Sequence, residues 1–369
     1  MSLIYIITIG IFTLYALYML YFLTGLRLLK QQSLILTTIE PIVSVIIAAR
    51  NEEDNIGNLL EDLIVQSYPQ KKLEIIISDD RSTDRTGEII DNFTTKYDYI
   101  SCVKIKNISK KMTPKKNAIT KAIEISKGDI IISTDADCRV DENWVKSIVQ
   151  IFDEKTGVVI GYSKIDTDSG TFFNDYQSVD FLALMSANAG TLGWDNPWTG
   201  SGQNIAFRRS LFDKIDGFNP VADQVSGDDF FLVQAISNIS KARYNANPDG
   251  FVTTKPMNSV RTFISQRIRW ASNTRKLFNS NFFFLLFLFM NLFVNTIILC
   301  GLFYKPYWQY IPMLLGTKFL FDSLVLFYGS SLFKTPLNIG TYVFWSITQP
   351  IYTPVLAIFS MVGKFRWKD

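Results

Sequence analysis

The sequence predicts an α/β domain, built on a mostly parallel sheet of the nucleotide-binding kind, set between membrane-spanning segments. Three observations predict it. First, short β-branched runs alternate with amphipathic helical stretches from residue 42 to about 258, the pattern of a parallel sheet with crossover helices. Second, one of those runs, Ile130-Ile131-Ile132-Ser133-Thr134, ends in Asp135-Ala136-Asp137, and ligands of open α/β sheets bind at the carboxyl ends of the strands. Third, uncharged segments of spanning length lie on both sides of the domain.

Composition narrows the chemistry. Of 369 residues, 48% are hydrophobic and 19% charged, apolar enough to direct attention to membrane spans. A net charge of +3 gives no case for a nucleic-acid partner. Cys102, Cys138 and Cys300 form no CxxC pair, which points to a reducing compartment and no zinc site. There is no histidine. A general base must then be a carboxylate, lysine, tyrosine or cysteine, and a metal must be held mainly by oxygen.

The chain divides into an N-terminal transmembrane helix (1–30), a catalytic domain (41–258), an interfacial helix (259–281) and a C-terminal transmembrane region (282–369). Residues 3–26 are uncharged and, as a helix, are roughly 36 Å long, enough to span a bilayer. No basic run precedes them and no small-residue cleavage site follows, so a span is favoured over a signal peptide. Arg27 and Lys30 come next, and the positive-inside rule puts the domain in the cytoplasm.

Within the domain, residues 43–49 read as a strand and 53–66 as a helix with Ile56, Leu59, Leu60 and Leu63 on one face. Residues 74–78 form a second strand ending in Asp79-Asp80, and Ser82 or Thr83 caps the helix that follows. A third strand covers 101–106. Residues 115–127 make a helix closed by Gly128 in a left-handed cap position. There is no GxGxxG and no GxxxxGK[ST], so a nucleotide is not held by a glycine-rich loop.

Residues 259–281 read as a basic amphipathic helix on the membrane surface. Val260, Phe263, Ile264, Ile268, Ala271 and Leu277 lie near one face, and Arg261, Arg267, Arg269, Arg275 and Lys276 make it basic. Residues 282–304 and 307–333 are further spans. Lys318 and Asp322, four apart in the latter, can pair inside a bundle. Residues 335–363 contain Pro350 and Pro354 and read as a kinked span or a re-entrant hairpin. Keeping Lys364, Arg366 and Lys368 inside favours the hairpin.

Asp135 and Asp137 point to the same side, because strand side chains alternate. Two hard oxygen ligands there can hold Mg²⁺ or Mn²⁺ together with a diphosphate; the alternative is two loop aspartates capping the next helix. Asp228 and Asp229 follow Gly227 and precede an apolar helix. With no histidine available, Asp229 is the candidate general base, against a reading of both aspartates as helix caps. Glycines 200 and 202 permit close backbone approach, and the stretch holding Trp198, Gly200, Gln203 and Asn204 is either a turn into the strand at 205–207 or, as its resemblance to the acceptor-side loop of the family named below implies, a loop that contacts sugar hydroxyls. Arg269 can offer a charge-assisted fork to a diphosphate, with Gln266 beside it. Trp270 offers an aromatic face to an acceptor, or serves as a membrane anchor.

Six segments in order, residues 43–52, 78–84, 115–118, 135–137, 227–229 and 266–270, resemble a family 2 glycosyltransferase of the GT-A fold. The branch is the membrane-bound one that includes ceramide glucosyltransferase and the hyaluronan, chitin and cellulose synthases. The resemblance covers residues 41 to about 280. It implies a GT-A domain in the cytoplasm with one N-terminal and two to three C-terminal transmembrane helices, in the plasma membrane. It implies that Ala48, Asn51 and Glu52 supply groups around the base of a nucleotide-sugar donor, that Asp80 accepts the N–H of uracil, and that Lys116, or Lys115 one place earlier, lies near the donor phosphates. Asp135, Asp137 and the metal bind the donor. Asp228 stands where the family usually has Glu, and Asp229 is the family's general base. The implied reaction is inverting transfer from a UDP-sugar to a lipid or glycan acceptor. Addition of one sugar to a lipid is favoured over a processive polysaccharide synthase, and over a non-catalytic protein that only binds the nucleotide sugar.

Overall fold

In the computed structural model the apolar N-terminal segment becomes α1 (Leu3–Gln32), and the described residues are 3–32, 37–272 and 281–362. Lys364, Arg366 and Lys368 lie outside them, as do Arg275, Lys276 and Leu277. The chain forms two units. One gathers the described residues of Met1–Leu29, Ile165–Trp194 and Pro256–Phe365, the other those of Lys30–Lys164 and Asp195–Lys255.

The second unit is α/β. Its early elements are β1 (Val43–Ala49), α2 (Ile56–Ile64), β2 (Leu73–Asp80), α3 (Thr86–Lys96), β3 (Ile100–Ile105), α4 (Pro114–Ile125) and β4 (Ile130–Asp135). β5 (Cys138–Val140), α5 (Trp144–Val149), β6 (Thr156–Gly161) and β7 (Ser163–Ile165) follow. After α6 (Phe172–Leu192) come β8 (Ile205–Arg208), α7 (Arg209–Lys214), α8 (Asp228–Ser237), β9 (Lys241–Asn245) and β10 (Val252–Thr254). The main sheet has seven strands in the order β3-β2-β1-β4-β8-β6-β9. β1 pairs in parallel with β2 on one side and β4 on the other, so the strand order reverses at β1, the switch point where such sheets open a crevice. Residues 130–134 of β4 are all buried, which is why that run is apolar and β-branched instead of alternating.

β8 is antiparallel to β4, with Ser133 opposite Ile205. The start of β8 therefore lies beside the carboxyl end of β4. This one reversed strand delivers the 198–204 loop to the functional end of the sheet.

Two local readings change. Gly128 is not in the left-handed region, since the positive-φ glycines are Gly170, Gly217 and Gly227. It is a glycine because its N–H donates to Ser44 Oγ at 2.8 Å, and a Cβ there would lie 2.4 Å from that oxygen. Nor do Ser82 and Thr83 cap α3, which begins at Thr86 with no side-chain cap. They bond instead to Asn51: its N–H donates to Ser82 Oγ at 3.1 Å, and its Oδ1 accepts from the Thr83 N–H at 2.9 Å.

The other unit contains α1, α6, α9 (Val260–Ser272), α10 (Phe282–Phe303), α11 (Ile311–Leu332) and α12 (Ile339–Val362). α1, α10 and α11 are long and apolar enough to cross a membrane. The residues of α6 sit inside the stretch read as one soluble domain, but they group with the apolar helices. α12 is a single helix running through Pro350 and Pro354, so the chain does not turn back as a re-entrant hairpin would. Lys318 and Asp322 pair as the sequence predicts, both buried, and Tyr15 of α1 donates its hydroxyl to the same carboxylate. The basic-face reading of α9 fails at Arg267. That residue is buried, donating to Asp180 Oδ2 of α6 at 2.7 Å, with the ring of Trp270 4.3 Å away.

Glycines set the approach of α1 to α6. A Cβ on Gly25 would lie 1.8 Å from the Gly190 carbonyl oxygen, and one on Gly193 1.9 Å from that of Gly25. Backbones this close are how apolar helices gain packing energy without a hydrophobic driving force. Gly25→Ala should lower the unfolding temperature of the detergent-solubilised protein by several degrees, the effect of about 1–3 kcal/mol of overpacking. Gly10→Ala, with nothing within 4 Å of the added carbon, should leave it unchanged. Equal unfolding temperatures for the two variants would contradict the close crossing.

Candidate active site

Asp135 ends β4 beside Ala48 of β1, its partner in the parallel ladder. Asp135 and Asp137 are both half-buried, with Ala136 buried between them, so the two carboxylates share the open side. Lys115, in the first turn of α4, donates to Asp135 Oδ1 at 2.7 Å. This settles which lysine faces the carboxylates. Lys116 is 1% exposed and its ammonium reaches the Gln224 carbonyl, because adjacent helical residues point about 100° apart. Of the two lysines, Lys115 is therefore the one beside the carboxylates, and Lys116 is buried away from them.

Asp228 and Asp229 occupy the first turn of α8, and the cap position is Gly227 at φ 89°, with no side-chain cap bond. They are therefore not the capping residues. Asp229 Oδ2 accepts from the Gly202 N–H at 3.3 Å, and its Oδ1 from the Phe230 N–H at 2.8 Å. Lys115, Ser133, Gly202, Asp228 and Asp229 line one small cavity of about 10 Å³, room for roughly one water. Burial pushes the Asp229 carboxyl up to about 6, and the charge of Asp228 adds to the shift, while the two N–H groups and Lys115 oppose it.

The 198–204 loop is less open than its sequence implies. Asn204 is fully buried: Oδ1 accepts from Trp144 Nε1 at 3.2 Å, and Nδ2 donates to the carbonyls of Tyr162 (2.9 Å) and Gly250 (2.8 Å). It ties the loop down and has no face left for a sugar. Trp198 is 2% exposed, and Gln234 of α8 donates to its carbonyl at 2.8 Å. Gly200 packs under Val233 and Ile205, which a Cβ would meet at 3.0 and 3.1 Å. Gly202 and Gln203 keep partial exposure, with Gln203 donating to Thr254 Oγ1 at 3.1 Å.

At the end of β1, Asn51 and Glu52 face the β2–α3 turn. The Glu52 N–H donates to Thr86 Oγ1 at 2.7 Å, and its carboxylate accepts from Asn55. What they offer a ligand is the shape and backbone of the turn. Asp80 is 1% exposed, its two oxygens accepting from Arg81 Nε (2.8 Å) and Nη2 (2.9 Å). Arg81 itself is held at φ 59°, in the left-handed region where a long side chain is uncommon. The sequence reading missed this clamp, although an arginine next to paired aspartates was a visible signal.

Gln266, Arg269 and Trp270 lie on α9 in the helical unit, apart from the residues above in their unit assignment. Gln266 accepts from Arg267 at 2.7 Å, and the face of Trp270 is covered by Arg267. Arg267, which was not singled out for a role, is the residue that docks this motif onto α6.

Among the described residues, no three carboxylates or thiols converge as a ready-made metal site. Asp135 and Asp137 still fit a hard divalent cation, because Mg²⁺ is commonly held by one or two carboxylates with substrate phosphates completing its shell. The Lys115 ammonium already marks Asp135 as a cation position.

The family described as "Glycosyl transferase family 2" matches residues 44–216. The chain is 28% identical over 360 residues to the probable glycosyltransferase YdaM of Bacillus subtilis, covering 88% of this chain and 83% of that protein. It is 30% identical over 184 residues to a beta-monoglucosyldiacylglycerol synthase of Nostoc, 48% of this chain but only 38% of that relative's length. Its fold resembles the mannosyltransferase PcManGT of Pyrobaculum calidifontis, solved with GDP-Man and Mn²⁺: TM-score 0.60, 18% identity, 96% of this chain and 98% of that one.

A base must be ionised to take a proton, so turnover should be retained above about pH 6 and lost as the pH falls through it. For stability the sign is opposite: ionised Asp229 disfavours the folded state at neutral pH, and that cost shrinks as the pH falls from about 6 and is gone only below the ordinary carboxyl value of 3.8. Asp228→Asn should move the acid limb of the pH–rate profile to lower pH, because it removes a neighbouring negative charge. An unmoved limb would show that another group sets it.

Proposed function

We propose that the chain, whose residues 44–216 match glycosyltransferase family 2, is a membrane-bound, inverting glycosyltransferase transferring one sugar from a UDP-sugar to a hydroxyl of a lipid acceptor. The observation that carries this is Asp229, a half-buried carboxylate with a raised pKa beside Lys115, at the open end of the sheet. Three apolar helices of spanning length in the same chain, and a relative named as a diacylglycerol glycolipid synthase, support the lipid acceptor. Arg27 and Lys30 beyond the first span support a cytoplasmic face for the α/β unit.

In this reading the donor lies across the crevice at β1 and β4. The β1 turn from Ala48 to Glu52 frames the base, and Asp80 accepts its N–H once Arg81 turns aside. Asp135 and Asp137 are the metal ligands, and what a bound Mg²⁺ or Mn²⁺ supplies is neutralisation of charge on the departing diphosphate. Lys115 provides a cationic partner for the same phosphates. Asp229 takes the proton of the acceptor hydroxyl as its oxygen bonds to the anomeric carbon. The bond from that carbon to the diphosphate oxygen breaks on the opposite side, and the nucleoside diphosphate leaves with the electron pair. A single displacement inverts the anomeric centre. The Gly202 and Phe230 N–H groups hold Asp229 in place, and Gln203 is the loop side chain left to meet the acceptor.

Mass spectrometry of lipid extracts from cells expressing the protein or its Asp229→Asn variant tests the reading. A glycolipid should appear with the native chain and fall by at least about 100-fold in the variant, the usual scale for a lost general base. An undiminished glycolipid in the variant would remove Asp229 as the base. A new polymer in place of a glycolipid would remove the single-addition lipid acceptor.

A further inference from the structure

Lys115 stands where the proposed cation would bind. Its ammonium lies 2.7 Å from Asp135 Oδ1, with both side chains largely shielded from solvent, at 24% and 29% exposure. The same ammonium faces two more carboxylates. Lys115, Asp228 and Asp229 line the same small cavity. One positive charge thus serves three acidic side chains.

Two facts bear on what happens when a cation arrives. Asp135 and Asp137 are only two protein ligands, and no third carboxylate or thiol joins them among the described residues. A divalent ion there lacks most of its shell until phosphate oxygens are present. Moreover, a dication on Asp135 and an ammonium 2.7 Å from the same carboxylate repel each other strongly. Lysine carries its charge on a flexible four-carbon stem and binds phosphate as a point charge, so it can leave Asp135 without moving α4.

We infer that Lys115 is an internal counter-ion that competes with the divalent cation for Asp135, so that metal binds tightly only when a nucleoside diphosphate draws the ammonium away. The inference rests on the donor reading above. Metal and donor are then linked, each tightening the other by the same factor. Lys115 acts here as a positioning residue, keeping the acidic site from filling with metal before the donor is in place.

The test is Mn²⁺ binding to the purified full-length protein, followed by the electron paramagnetic resonance signal of free Mn²⁺, with and without UDP. The native protein should bind Mn²⁺ weakly alone and about tenfold or more tightly with UDP, within the usual span of coupling between sites. Lys115→Ala should bind Mn²⁺ about tenfold more tightly than the native protein without UDP, and UDP should add little. Lys115→Arg, which keeps the charge, should behave like the native protein. In the Lys115→Ala background, Asp135→Asn should abolish the gain, and an unfolding scan of each variant confirms that it is folded. Equal Mn²⁺ affinity in the native and Lys115→Ala proteins without UDP, with UDP tightening both, overturns the competition but leaves the donor reading standing. Failure of Mn²⁺ and UDP to bind either protein overturns both. A gain that survives Asp135→Asn places the ion elsewhere and also overturns the inference.

Discussion

The parallel pairing of β1 with β4 is the constraint on which the functional end of this molecule depends. β1 already has β2 along its other edge, so β4 can join only by crossing back over the sheet, and the strand order reverses there. In open α/β sheets, the carboxyl ends of the strands at such a reversal open onto a crevice. Ala48 and Asp135 face each other across that junction. The antiparallel entry of β8 beside β4 places Gly202 next to the same crevice.

Charge is distributed at this junction with little to spare. Asp135, Asp228 and Asp229 sit around Lys115, and backbone N–H groups from the loop and from α8 hold Asp229. Burial first, then the charge of Asp228, raises the Asp229 carboxyl, and such shifts gather at functional sites.

The helical unit solves a different problem. Long apolar helices in a lipid surrounding gain little from apolar contact with one another, so close backbone packing and buried polar pairs specify partners there. Gly25, Gly190 and Gly193 let α1 and α6 meet backbone to backbone. Arg267 and Asp180 join α9 to α6, and Trp345 of α12 donates to the same aspartate at 3.1 Å. Lys318, Asp322 and Tyr15 do the equivalent for α11 and α1. Removing one partner of such a buried pair leaves an uncompensated charge, which is costly.

The sequence by itself determined the class of fold, the strands at 43–49 and 130–134, the carboxylate Asp135 at the end of the second, and the Lys318–Asp322 pair. Each of these is written in local pattern: β-branched runs, side-chain alternation, i to i+4 spacing. Only the tertiary structure decided which of two adjacent lysines faces Asp135, because that depends on the rotation of α4 against the sheet. It alone showed that Asn204 and Trp198 are spent on holding their loop, since their partners Trp144, Tyr162, Gly250 and Gln234 lie tens of residues away. It also moved α6 from the α/β unit to the apolar helices, which the polar residues along α6 concealed. Local pattern fixes what a residue can do; the long-range contacts that occupy its donors, acceptors and surface fix what it is left free to do.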